Sequence, residues 1–103
     1  METDTTTDSM LSEEAQRRAI ETLPPHSLGG LMRYLDHGIP PGDFLTAVIC
    51  NDLFGACGRA DESNKHALFN WCSWFYNYAP ARSFGSKEIM AEWIATRRTE
   101  RKT

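Results

Sequence analysis

Residues 62–79, ESNKHALFNWCSWFYNYA, hold the aromatic cluster on which the prediction of the fold depends. An α-helix advances 100° per residue, so four large rings of this segment fall within an arc of roughly 100°. Those rings belong to Trp71, Trp74, Phe75 and Tyr78. Asp61 precedes the segment as a natural N-cap, and Pro80 follows it. The pattern predicts a helix over about 62–79 that turns an aromatic stripe towards the core.

The segment before it, residues 44–57, is apolar on almost every side: FLTAVICNDLFGAC. A helix of this kind is usually central and buried, and Asp43 is a suitable N-cap for it. Asn51 and Asp52 are the exception, because a polar group inside an apolar helix needs a hydrogen-bond partner. Either they serve the structure, with Asp52 paired to an arginine and Asn51 holding the loop 38–42, or they contact a ligand or partner. The arginines available to Asp52 are Arg33 and Arg59.

Helix signals flank these two segments on both sides. Ser12 caps a helix that Pro24 and Pro25 stop, and a second helix from about residue 26 ends at His37-Gly38. Ser86 caps a last helix whose inner face carries Ile89, Met90, Trp93 and Ile94. Because no segment alternates like a strand, we predict an all-α fold, a compact bundle of about five short helices.

The composition favours one domain with polar ends. The chain has 103 residues, 41% of them hydrophobic and 24% charged, which suits a single globular core. Residues 1–10 are polar and threonine-rich, so we expect a disordered tail there. Residues 11–97 form the predicted helical domain. Residues 98–103 form a short basic tail.

Charge and hydropathy exclude several classes of function. The net charge of −3 argues against a general nucleic-acid binder, which needs a positive field. Weak contact with nucleic acid through the basic end stays a secondary alternative; that end holds Arg97, Arg98, Arg101 and Lys102. No apolar run reaches the ~20 residues of a membrane span, and the start has no signal-peptide pattern. Three cysteines, an odd number, fit reduced thiols, so we expect a cytoplasmic protein without membrane contact.

The sequence offers no set of residues for catalysis or metal binding. The candidate zinc ligands are too irregularly spaced for a zinc site: Cys50, Cys57, His66 and Cys72. The three histidines match no catalytic motif, and no glycine-rich loop for phosphate is present. We therefore expect a non-enzymatic protein with no cofactor and no metal.

Large apolar side chains are too numerous for a core of this size. Phe54, Phe69, Tyr76 and Phe84 are the ones that we expect to remain partly outside. Such a surplus is typical of an interface, so a protein partner or a homodimer is the leading interpretation. In it, Phe54, Phe69 and Tyr76 are anchors, and the rim contacts come from Arg33, Arg59 and Arg82.

A small-ligand site is the alternative. Aromatic rings stack on bases, arginine holds phosphate, and a helix N-terminus favours an anion. The residues that combine these properties are Tyr76, Tyr78, Arg82 and Ser86. They would suit a nucleotide-like molecule.

From Pro24 to Trp93 the chain also resembles a family of short hypothetical proteins carried by phages, prophages and plasmids of proteobacteria. The resemblance rests on Pro24-Pro25-His26, Arg33-Tyr34, Gly38-Ile39-Pro40-Pro41-Gly42-Asp43-Phe44-Leu45, Ala47-Val48, Asn51-Asp52-Leu53, Gly58-Arg59-Ala60-Asp61, Asn64, Tyr76-Asn77, Pro80, Gly85-Ser86 and Trp93. Phe84 departs from the family, which more often has tryptophan before Gly-Ser. The resemblance implies an accessory protein of a mobile element. Such a protein would bind and inhibit a host protein, for example a component of antiviral defence.

Overall fold

The computed structural model of the protein describes residues 11–102, and of residues 100–102 only the backbone. Across this range every regular element is helical, so the predicted all-α fold is confirmed. The tail predicted over residues 1–10 lies outside the described part. The described chain forms seven α-helices, with one 3-10 turn at Ala81–Ser83. The helices are α1 Glu13–Thr22, α2 Pro25–His37, α3 Asp43–Ile49, α4 Leu53–Arg59, α5 Glu62–His66, α6 Leu68–Tyr78 and α7 Lys87–Lys102.

The prediction of about five helices is wrong because two of the predicted helices are each interrupted. The first interruption divides residues 44–57 at Cys50-Asn51-Asp52. Asn51 has a φ of 64°, in the left-handed region that asparagine tolerates better than most residues. Asp52 then caps α4, because its side chain accepts a hydrogen bond from the Gly55 N–H at 3.0 Å. The polar pair is therefore a helix stop followed by a helix start.

This interruption also overturns the expectation of one central buried helix. α3 buries Phe44, Leu45, Ala47 and Ile49, as predicted. In α4, by contrast, Leu53 and Phe54 are exposed by 57% and 86%. Both Asn51 and Asp52 are exposed, so neither is a polar group inside an apolar helix.

The cap of α4 can be tested by substitution. We expect Asp52→Ala to lower the free energy of unfolding by about 1 kcal/mol, because the first turn of α4 loses its acceptor. Asp52→Asn should be nearly neutral, since asparagine caps as well as aspartate. Urea unfolding followed by circular dichroism measures both. Equal losses for the two variants would show that the charge of Asp52, and not its cap, matters.

The second interruption divides residues 62–79 at Ala67. The Ala67 N–H bonds to the Asn64 carbonyl, three residues back instead of four, and this tightens the chain locally. Asp61 caps α5 as predicted, accepting from the Asn64 N–H at 2.8 Å. Asn64 is itself buried. The aromatic helix α6 therefore starts at Leu68, and α5 forms a separate short helix before it.

The indole N–H groups of three tryptophans tie distant parts of the chain together. Trp71 donates to the Asn64 side chain at 2.8 Å, and Trp74 donates to the Ala15 carbonyl of α1 at 2.9 Å. Trp93 of α7 donates to the Tyr34 carbonyl of α2 at 3.3 Å. All three rings are buried, and each polar edge is satisfied, as buried tryptophan requires. The core therefore has directional bonds as well as apolar contacts.

The C-terminal helix packs against the end of α2. Gly38, in the left-handed conformation with a φ of 69°, ends α2 as predicted. It lies directly against α7 at Ile94 and Arg97. α7 starts at its cap Ser86 and runs to Lys102, so the predicted boundary at residues 97/98 lies within a helix.

Candidate functional site

Large apolar side chains project into solvent from α4 and α6. Phe69 and Tyr76 on α6 are exposed by 79% and 81%, and Phe54 on α4 by 86%. On α6 the spacing i, i+3, i+7 places Phe69, Cys72 and Tyr76 on one side of the helix. We call this surface the α4–α6 face; it consists of Leu53, Phe54, Cys57, Phe69, Cys72 and Tyr76.

Cys57 of α4 and Cys72 of α6 are close enough for their thiols to interact electrostatically. The pKa of the Cys72 thiol is raised by burial and also by the nearby Cys57 thiol. Cys57 is one turn along α4 from Phe54, and Cys72 lies between Phe69 and Tyr76 on α6. These two thiols therefore link the exposed side of α6 to α4.

Charged residues are scarce on these two helices. α6 contains none among its 11 residues, and α4 contains only Arg59. In α1, for comparison, half of the residues are charged. A helix side that is exposed to solvent without any charge is unusual, because charged side chains normally cover such a surface. Depletion of charge together with aromatic enrichment is typical of the centre of a protein interface.

A small apolar cavity opens beside Tyr76. It has a volume of about 230 Å³ and is lined by Cys72, Phe75, Tyr76 and Phe84 with the turns at Asn51 and Gly85. The Gly85 N–H donates to the Ile49 carbonyl at 2.7 Å, which fixes one wall. Phe84 is half-buried against Phe75, with ring centroids 5.6 Å apart, so it remains only partly outside the core.

The predicted rim arginines lie in different places. Arg59 is on α4 itself, where it lines a cavity with Asp43, Asp52 and Lys87. Arg33 lines a separate groove, of about 300 Å³, with His26, Asp43 and Asp61. Arg82, the third of them, lies in the 3-10 turn Ala81–Ser83, so only Arg59 is on a helix of the α4–α6 face.

The residues predicted for a nucleotide lie around different cavities. Tyr76 lines the small cavity described above, whereas Tyr78 lines a different cavity, beside Trp74. Arg82 lines yet another cavity, which lies against α7. The Ser86 hydroxyl accepts from the Ile89 N–H at 3.1 Å and so caps α7. The structure does not gather these four side chains into one cavity.

A polar cluster near α5 was not predicted from the sequence. His26 and Asp61 lie 2.9 Å apart, and the Asn64 side chain donates to the Ser27 hydroxyl at 3.4 Å. The pKa of Asp61 is lowered by its bond from the Asn64 N–H and by His26. The clue in the sequence is Asp61 three residues before Asn64, but the partner His26 is 35 residues away. These bonds join α2 to α5.

Two of the candidate zinc ligands, Cys50 and His66, contact side chains outside the candidate set. The Cys50 thiol donates to the Met90 sulfur at 3.6 Å, and His66 lies 3.4 Å from Glu62. Among the side chains that the structure describes, no three of histidine, cysteine or acidic type cluster as metal ligands would. Within residues 11–102, no helix combines the length and the hydropathy that crossing a bilayer requires.

Comparison of the chain with protein-family models, with curated proteins and with solved structures gives no match.

Proposed function

We propose that this protein is a non-enzymatic binding protein that recognises another protein through the α4–α6 face. The observation that carries the proposal is the charge-free exposed side of α6, with Phe69 and Tyr76 almost fully in solvent. Burying such rings in a partner releases apolar surface from water, worth roughly 25 cal/mol per Å² before the costs of association.

The cavity beside Tyr76 also favours a protein partner. Its volume of about 230 Å³ is below the roughly 300–1,000 Å³ of small-molecule pockets. That size suits one apolar side chain of a partner. Strong interface contacts often consist of an aromatic anchor next to a pocket that a partner residue fills.

The resemblance to mobile-element proteins suggests the setting. In this proposal the protein is made by a phage or prophage and acts in the host cytosol. There it inhibits a host protein, for example a component of antiviral defence. The exposed apolar surface is consistent with a protein that stays bound to its target, because a free patch of this kind favours aggregation.

Capture experiments test the interface. Immobilised protein is incubated with proteobacterial host lysate, and recovered proteins are quantified by mass spectrometry. We expect a specific partner whose recovery falls at least about tenfold with the double variant Phe69→Ala/Tyr76→Ala, because truncating two anchors costs more than about 1.4 kcal/mol.

Ile20→Ala is the matched control, because Ile20 is also a large apolar side chain, 65% exposed, but lies on α1. Recovery with Ile20→Ala should equal that of the unaltered protein. Sedimentation equilibrium of the same variants separates self-association from capture of a host protein. A partner recovered equally with all variants, or no partner and no self-association, would contradict the proposal.

A further inference from the structure

A larger cavity lies on another part of the molecule, between the 3-10 turn Ala81–Ser83 and α7. Its volume of about 520 Å³ is within the range of small-molecule pockets. Arg82 lines it from the turn, and Ile89, Glu92, Trp93 and Arg97 line it from α7. The α7 residues are spaced i, i+3, i+4 and i+8, so one side of the helix forms the wall.

Both walls of this cavity are held by one buried residue, Tyr34. Its hydroxyl donates to the Ser83 carbonyl at 2.7 Å, which fixes the turn that carries Arg82. Burial raises the pKa of the Tyr34 hydroxyl far above its usual range, so the donated proton stays in place. Its own carbonyl accepts the indole N–H of Trp93 at 3.3 Å, which fixes the wall on α7. The cavity is therefore pre-organised, so ligand binding would lose little conformational entropy in ordering its walls.

The polar groups of the cavity have a definite arrangement. The Arg97 guanidinium lies over the Trp93 ring, 4.7 Å from its centroid, and this contact orients it. Arg82 is exposed on the opposite wall. The Glu92 carboxylate lines the cavity beside these two guanidinium groups. Planar guanidinium groups match carboxylate and phosphate oxygens, and the Ile89 side chain offers an apolar surface beside them.

We propose that this cavity binds a small organic oxyanion: a carboxylate or phosphate group carried on an apolar body. The oxyanion lies at Arg82 and Arg97, and the apolar body packs against Ile89 and the edge of Trp93. The proposal is independent of the α4–α6 face, because the two sites lie on different elements. The Glu92 carboxylate opposes additional negative charge, which favours ligands that carry one anionic group.

The test is a titration of the full-length ¹⁵N-labelled protein with benzoate, phenyl phosphate and the neutral benzamide. We expect saturable shifts of the Trp93 indole cross-peak and of the amides of residues 81–83, with a Kd on the order of 1 mM for a ligand this small. Binding of benzoate alone or of phenyl phosphate alone identifies the anionic group, and binding of both supports the shared chemistry. No saturation by about 10 mM with either anion, or equal affinity for benzamide, overturns the proposal.

Three variants locate the site. Arg82→Gln should weaken anion binding about tenfold, because a charge-assisted hydrogen bond is lost. Arg98→Gln removes the same charge from an exposed position on α7 that does not line the cavity, and it should leave the Kd unchanged. Glu92→Gln should tighten binding about two- to fivefold, a gain that misfolding cannot produce. Equal weakening by Arg82→Gln and Arg98→Gln would show non-specific attraction and overturn the site.

Discussion

Replacing Trp71 by alanine should remove most of the stability of this protein. Trp71 is fully buried, and its ring lies edge-on to Phe44, with centroids 6.1 Å apart, and stacks with Phe75 at 6.5 Å. Truncating a buried tryptophan costs about 3–5 kcal/mol. The buried Asn64 side chain also loses the donor of its 2.8 Å bond, at a further cost of about 1–3 kcal/mol. A domain of this size has about 5–15 kcal/mol in total.

Urea unfolding followed by circular dichroism at 222 nm measures this loss without depending on tryptophan emission. Phe69→Ala is the control: it removes a ring two residues away on the same helix, but from solvent. It should change the free energy of unfolding by no more than about 0.5 kcal/mol. If Trp71→Ala is unfolded, Trp71→Phe keeps a ring and should still cost about 1–3 kcal/mol. A loss below about 1 kcal/mol for Trp71→Ala would contradict the packing described for α6.

Gly38→Ala should cost about 3 kcal/mol, the second largest effect. With a φ of 69°, Gly38 has a conformation in which an added Cβ costs about 1–2 kcal/mol. That Cβ would also lie 2.7 Å from the Ile94 carbonyl oxygen and 2.8 Å from the Arg97 Cβ. Because one of these atoms belongs to the backbone of α7, the helix itself must shift, and overpacking adds about 1–3 kcal/mol.

Gly58→Ala is the matched substitution with the opposite sign. Gly58 lies in α4, and an added Cβ there meets no atom within 4 Å. Alanine has the higher helix propensity, so this variant should gain up to about 1 kcal/mol. Thermal unfolding of both variants gives the comparison. A Gly38→Ala protein as stable as Gly58→Ala would mean that α2 and α7 do not approach as closely as described.

Local signals in the sequence determined where the chain is helical. Ser12, Asp61 and Ser86 cap helices as predicted, and Gly38 ends one. These features depend on atoms within about one helical turn, so the order of the residues is enough to predict them. Helical periodicity likewise predicts a buried stripe of Trp71, Trp74, Phe75 and Tyr78; the first three are buried, and Tyr78 is partly buried.

The surface residues of α6 were also within reach of the sequence. Phe69 and Tyr76 point away from the predicted stripe because helical periodicity sets their direction, and both are exposed. The sequence indicates Phe54 as an anchor only because the core is too small to hold every large ring. Its exposure conflicts with the buried helix predicted over residues 44–57, and the sequence alone did not resolve that conflict.

Only the tertiary structure determines the direction of α4 and the contacts between helices that are distant in sequence. The left-handed Asn51 redirects the chain, so α4 turns Leu53 and Phe54 outward although α3 is buried. The pair Asn51-Asp52 is compatible with a helix break, but only the structure shows that α3 ends before it. Likewise, Tyr34 joins the turn at Ser83 to Trp93, residues 49 and 59 positions away. Periodicity describes each helix separately, whereas contacts at such separations depend on how the helices pack. For this reason the sequence predicted the helices, and the fold determined both candidate sites.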